Sequence, residues 1–122
     1  MYVIRVKDHF DAAHWLADYV GKCNNLHGHR WEAEVMLLSN GINSKTNMVI
    51  DFKVVKNALK LLLDDLLDHR CLNDALKCDN PTAEFIARWI FVRLDGVFPD
   101  CILKSVTIWE SPECSVTFSE GN

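Results

Sequence analysis

The chain has 122 residues and a formal net charge of −4, with 25% charged and 49% hydrophobic residues. That length suits one domain, 1–122, with a real core but little room for a self-contained enzyme cleft, so help from neighbouring copies is expected. The acidic balance argues against a general nucleic-acid surface, no apolar run approaches the roughly 20 residues of a membrane span, and no signal peptide is expected.

Residues 2–13 alternate apolar and polar as a half-buried strand does. Tyr2, Ile4, Val6, Phe10, Ala12 and His14 share one face, and His9 falls with Arg5, Lys7 and Asp11 on the other. From Trp15 to Leu26 there is no clear period, and Gly21 with the paired Asn24 and Asn25 marks a loop carrying Lys22 and Cys23. Alternation resumes over 27–38, where His27 and His29 share parity with Trp31, Ala33, Val35 and Leu37. Residues 39–47 are dense in turn formers and predict an exposed connection.

Asp51 is a good N-cap for an amphipathic helix running up to Asp68, with Val55, Leu59, Leu62 and Leu66 at helical spacing. Asn80 as N-cap with Pro81 at the first helical position starts a second helix, whose stripe is Phe85, Ile86, Trp89, Ile90 and Leu94 and which Gly96 ends. Residues 101–110 and 114–119 read as strands joined through Ser111-Pro112-Glu113. The order β-β-α-α-β-β predicts an α+β domain, an antiparallel four-stranded sheet with two helices on one face.

The chemistry concentrates in Cys23-Asn24-Asn25-Leu26-His27-Gly28-His29. In an extended segment His27 and His29 point the same way and can grip one metal ion together, with Gly28 leaving room above it. A catalytic zinc takes three protein ligands and keeps a fourth position open, and the parity of the first strand makes His14 the third. Ordinary histidines at strand ends would look the same. Cys23 has two readings, a fourth ligand closing a structural Cys-His₃ site or a thiol held beside an open one as base or nucleophile. The other cysteines, at 71, 78, 101 and 114, form no C-x-x-C pair, and the odd total excludes a complete disulfide framework, so reduced cytoplasmic thiols are expected.

F-x-A-A-H at Phe10 to His14, followed by C-x-x-x-H-G-H at Cys23 to His29, resembles the 6-pyruvoyl-tetrahydropterin synthase superfamily. The three residues between cysteine and H-G-H resemble its bacterial 6-carboxytetrahydropterin synthase branch rather than the pyruvoyl-forming synthases, which typically have five. Ile50-Asp51-Phe52, Leu67-Asp68-His69 with Leu72-Asn73, Asn80-Pro81-Thr82-Ala83-Glu84 and Glu110 continue the resemblance in the same order.

The resemblance implies the tunnelling fold, in which three subunits join their sheets into a barrel and two trimers stack into a homohexamer; exposed sheet edges give a physical reason for that assembly. It implies Zn²⁺ on His14, His27 and His29. It also implies a catalytic triad of Cys23, Asp68 and His69, the last two supplied by a neighbouring subunit. Taken alone, Asp68-His69 is only a polar pair at a helix end, where a histidine is favoured by the dipole. Glu110 becomes the pterin anchor, a carboxylate accepting two parallel hydrogen bonds, with Thr82 contacting the pterin beside it. Taken alone, Glu110 ends a strand with Val106 and Ile108 on its face. Glu84 has an equally good reading as first-turn helix electrostatics, and Lys22 as a solvated loop lysine or a phosphate contact.

The activity implied is a lyase converting 7,8-dihydroneopterin triphosphate to 6-carboxytetrahydropterin, with loss of acetaldehyde and triphosphate, in queuosine and deazaguanine biosynthesis. The alternatives are a pyruvoyl-type synthase on the same site, eliminating triphosphate, and a non-catalytic zinc-binding scaffold.

Overall fold

The structure is a computed structural model that describes residues 1–121. Strands β1 (Tyr2–His14) and β2 (His27–Ser39) are followed by α1 (Phe52–Leu66), β3 (Arg70–Cys71), α2 (Leu72–Ala75) and α3 (Ala83–Leu94), then β4 (Ile102–Ser111) and β5 (Cys114–Phe118). The sheet order is β3-β1-β2-β4-β5. The sheet departs from the expected one in two respects. The sheet has five strands rather than four, and it is mixed rather than wholly antiparallel, because β3 pairs parallel to β1 through Ala12 and Ala13. A two-residue strand carries too little alternation to be read in advance.

β1 and β2 pair over their full lengths in antiparallel register, Tyr2 opposite Ser39 and His14 opposite His27. Matched alternation on two strands puts both apolar sets on one face, and there Val6, Phe10, Ala12, Trp31, Ala33, Val35 and Leu37 are buried. The helices cover that face, α1 against β1 and α3 against β4 and β5.

Asp51 caps α1 as expected, its carboxylate accepting the Lys53 N–H at 2.8 Å. The buried face of α1 is Val55, Leu59 and Leu63, with Leu67 following, rather than the expected Leu62 and Leu66. Both sets satisfy helical spacing, and docking against β1 selects one. The helix stops at Leu66, short of Asp68. The cap of α3 is Thr82 instead of Asn80: its Oγ1 accepts the Phe85 N–H at 3.2 Å, and Asn80 is engaged elsewhere. Ile86, Ala87, Ile90, Phe91 and Leu94 form the buried side, leaving Phe85 exposed and Trp89 half-buried. The expected loop from Trp15 to Leu26 contains a 3₁₀ turn at Lys22–Asn24, and α2 adds a short helix between the two expected ones.

β4 contains an irregularity where Leu103 pairs with Leu37 but Ser105 with Met36. The extra residue lets Leu103 face inward on one side of the bulge and Val106 and Ile108 on the other. A second register shift between Trp109 and Ser111 in the β4–β5 pairing falls on Glu110. Among the described residues, no helix is long and apolar enough to cross a membrane.

Candidate metal centre and acid–base pair

The β1–β2 register builds the centre. His14 stands directly opposite His27, and His29 opposite Ala12 places its side chain on the same face one diagonal away. His14, His27 and His29 each offer one ring nitrogen, and the three lie within 4.8 Å of one another. His9 faces the other way, exposed and paired with Glu32, as parity predicts.

The outer ring nitrogens explain the orientation. His14 Nδ1 donates to the Pro81 carbonyl at 2.8 Å, and His27 Nδ1 donates to the Asn25 carbonyl at 2.7 Å. Such bonds fix the tautomer and leave the Nε2 lone pair for a ligand. Among the described residues His14 Nε2 and His29 Nε2 are buried without a hydrogen-bond partner, a costly arrangement unless a ligand such as a metal ion engages them. Burial is also the main force holding both imidazoles below their ordinary pKa. For His14 the Pro81 hydrogen bond opposes this shift, and for His29 the charge of Glu110 does. Neutral imidazoles are the metal-binding form, so the three residues fit a zinc ion.

Trp31 is the floor of the centre. It lies edge-on to His14 at 4.9 Å and to His29 at 5.3 Å, and its Nε1–H donates to the Ala12 carbonyl at 3.2 Å. Glu110 approaches from β4, its oxygens 3.9 Å from His14 Nε2 and 3.7 Å from His29 Nε2. A bulge next to a site re-aims a side chain, and here it aims a carboxylate at the histidines.

Cys23 stands outside the cluster. It is half-buried on the 3₁₀ turn, with its carbonyl accepting the Leu16 N–H at 2.8 Å, and the metal-competent group among the described residues is the three histidines without it. Thr82 Oγ1 caps α3 by accepting the Phe85 N–H. Lys22 and Glu84 are exposed.

Asp68 and His69 form a second assembly at the edge of β1. Asp68 Oδ1 accepts the Asp11 N–H at 2.8 Å, Asp68 Oδ2 accepts from His69 Nδ1 at 2.7 Å, and the His69 N–H donates to the Asp11 carbonyl at 2.6 Å. His69 holds a left-handed backbone, φ 57°, within this clamp. The Asp11 N–H pulls the Asp68 carboxyl below its usual range, and the Asp68 hydrogen bond raises the His69 imidazole above its own. The His69 side chain is 80% exposed, so it projects away from its own chain. Arg30 grips Asp11 beneath the pair, Nε and Nη2 donating to its two oxygens at 2.9 and 3.0 Å.

Sequence reasoning passed over Pro81 and Asn25 as acceptors, Trp31 as floor, and Asp11 and Arg30 as support. Backbone acceptors leave no mark on residue type. Asp11 and Arg30, by contrast, sit on the outward parity of adjoining strands and were findable as a cross-strand pair.

Fold and centre together define a tunnelling-fold domain carrying a three-histidine metal-competent site. The family model described as 6-pyruvoyl tetrahydropterin synthase matches residues 3–121, and the chain belongs to that family. A Synechocystis protein named 6-carboxy-5,6,7,8-tetrahydropterin synthase is 43% identical over 98 residues, covering 78% of this chain and 76% of that protein. A Pyrococcus furiosus protein named dihydroneopterin monophosphate aldolase is 38% identical over 108 residues, covering 88% of each. The solved structure of Caenorhabditis elegans 6-pyruvoyl tetrahydropterin synthase superposes with a TM-score of 0.86 at 30% identity, over 98% of this chain and 96% of that one.

Proposed function

We propose that this protein is a zinc-dependent 6-carboxy-5,6,7,8-tetrahydropterin synthase, converting 7,8-dihydroneopterin triphosphate and water to 6-carboxytetrahydropterin with release of acetaldehyde and triphosphate. The observation that carries the reading is the convergence of His14, His27 and His29, in a chain whose relatives include a protein of that name at 43% identity. In the cell the step belongs to queuosine and related deazaguanine biosynthesis in the cytoplasm.

His14, His27 and His29 hold the metal. Bound there, zinc supplies Lewis-acid polarisation that makes the C–H beside a substrate side-chain oxygen easier to deprotonate. Glu110 receives the pterin ring, its carboxylate accepting from the 2-amino and ring N–H groups. Thr82 contacts the pterin beside it. Cys23 takes a proton from the substrate side chain, and His69 with Asp68 behind it moves protons at the same carbons. The upward shift of His69 favours the protonated imidazole, the form able to donate. Its exposure suits supply from a neighbouring subunit. Among the described residues no strand pairs with the outer edge of β1 from Tyr2 to Phe10, which suits the sheet joining that a trimer, and then a hexamer of two trimers, would need.

The deciding experiment incubates the zinc-loaded protein with dihydroneopterin triphosphate and identifies the products. Acetaldehyde with 6-carboxytetrahydropterin is expected. A 6-pyruvoyl product would assign the triphosphate-eliminating synthase instead. No conversion together with a Cys23-closed zinc site would assign a scaffold.

A further inference from the structure

Asn73 is buried, 6% exposed, and its amide spans two loops. Its Oδ1 accepts the Trp15 N–H at 3.0 Å, while Nδ2 donates to the Trp15 carbonyl at 2.9 Å and to the Asp79 carbonyl at 3.2 Å. The backbone carbonyl of Asn73 accepts the Cys78 N–H at 3.0 Å, which holds the start of the 78–82 segment as well. Only a carboxamide satisfies one N–H and two carbonyls at once.

The two tethered segments are the ones that orient His14. Trp15 follows that ligand in the chain, and Asp79 stands two residues before Pro81, whose carbonyl receives His14 Nδ1–H. The connections close a ring: His14 to Trp15 by the chain, Trp15 to Asn73 and Asn73 to Asp79 by hydrogen bonds, Asp79 to Pro81 by the chain, and Pro81 back to the His14 imidazole. One side of the ring fixes the ligand's backbone, and the other fixes the acceptor that sets its tautomer and ring plane.

We infer that Asn73 is a positioning residue for the metal centre, holding His14 Nε2 in place through both ends of this ring. The inference rests on the reading of His14, His27 and His29 as a zinc site. Outer partners of metal ligands typically contribute about 10- to 100-fold in metal affinity. Asn73 acts one bond further out at Pro81 but directly at Trp15, so its loss falls in that range.

The test uses Asn73→Asp, which keeps the size and the acceptor for Trp15 N–H but turns an oxygen toward both carbonyls. Zn²⁺ affinity is measured by chelator competition at a temperature where the protein is folded. The control for general destabilisation is Leu37→Ala, a fully buried core position on β2, eight residues along the strand from His29 and so roughly 26 Å away at about 3.3 Å per residue. Asn73→Asp should weaken zinc about 10- to 100-fold with Leu37→Ala unchanged. Equal affinity in Asn73→Asp and the unaltered protein, or an equal loss in both variants, would overturn the role. Absence of zinc binding in the unaltered protein and Leu37→Ala alike would instead overturn the metal site itself. Should Asn73→Asp not fold, amide exchange of the unaltered protein decides, because coupling between sites is reciprocal. Zinc should then slow exchange at the Cys78 N–H, which touches Asn73 and no ligand, and an unchanged rate there would overturn the inference.

Discussion

Glu110→Gln separates two roles that the geometry places side by side. The carboxylate lies within 4 Å of His14 Nε2 and His29 Nε2, yet its side chain is 37% exposed and opens toward solvent. As pterin anchor it faces two N–H donors with two anionic acceptors. Glutamine keeps the length but offers one neutral acceptor and turns an NH₂ toward the second donor. Losing one hydrogen bond to a charged group costs about 1.5–3 kcal/mol. That predicts pterin affinity falling roughly 10- to 150-fold. Titrating neopterin at saturating zinc, following its fluorescence, isolates this effect, and chelator competition on the same protein reads the metal separately. Pterin affinity should fall by the larger factor. Unchanged neopterin affinity at saturating zinc would refute the anchor, and a collapse of zinc binding alone would make Glu110 a ligand.

Single replacement of His14, His27 or His29 by alanine should abolish bound zinc, measured by metal content after loading and desalting, and His9→Ala should not. A His27→Ala protein with full zinc would dismantle the centre as drawn. Asp68→Asn should return the His69 imidazole from its raised value toward the ordinary histidine range, followed by NMR titration. The linkage runs in both directions. The raised His69 favours the fold at low pH and loses its contribution as pH rises through its folded pKa, and the lowered Asp68 loses its own as pH falls through its folded pKa. The pair therefore supports the fold between those limits, and an unmoved His69 titration in Asp68→Asn would deny the interaction. Cys23→Ala should keep its zinc while turnover falls about 10²–10⁴-fold. Co-refolding it with His69→Ala should restore measurable activity if the two groups act across a subunit boundary, whereas inactive mixed oligomers would place them in one chain.

Strand parity made the centre legible from sequence. Two alternating segments each continue into histidine, and a full-length antiparallel register with His14 opposite His27 delivers the cluster. What parity could not supply was arbitration between equivalent patterns. The Leu61-Leu62-Leu63 run offers α1 two faces of equal quality, and only docking on β1 selects Leu63. Asn80 before a proline is a good helix start, but the real Asn80 donates Nδ2–H to Asp18 at 2.8 Å and accepts the Asp18 N–H at 3.1 Å, which leaves Thr82 to cap α3. Asn73 binds Trp15 across 58 positions of sequence, and nothing local to either residue announces that. The aim of Glu110 depends on a bulge, a one-residue irregularity invisible to alternation.

The same parity that gathers the three histidines also sets the Asp68–His69 pair apart from them. On β1 the even positions lead to Phe10, Ala12 and His14 beneath the helices, while Asp11 faces outward and meets Arg30 from β2. Asp68 and His69 are fastened to the backbone of that outward residue, and His69 projects into solvent with a raised pKa. An imidazole tuned by a carboxylate, held in a left-handed backbone by two hydrogen bonds and then left exposed, is a costly construction for a surface that meets only water. It becomes economical if a second copy brings its own metal face and Cys23 against it. Joining sheets along the unpaired β1 edge would bring a second chain to that edge, and each site would then draw its metal from one chain and its acid–base pair from another. In such an assembly a 122-residue chain would share its cleft with a second copy, and active-site assembly would be inseparable from oligomerisation.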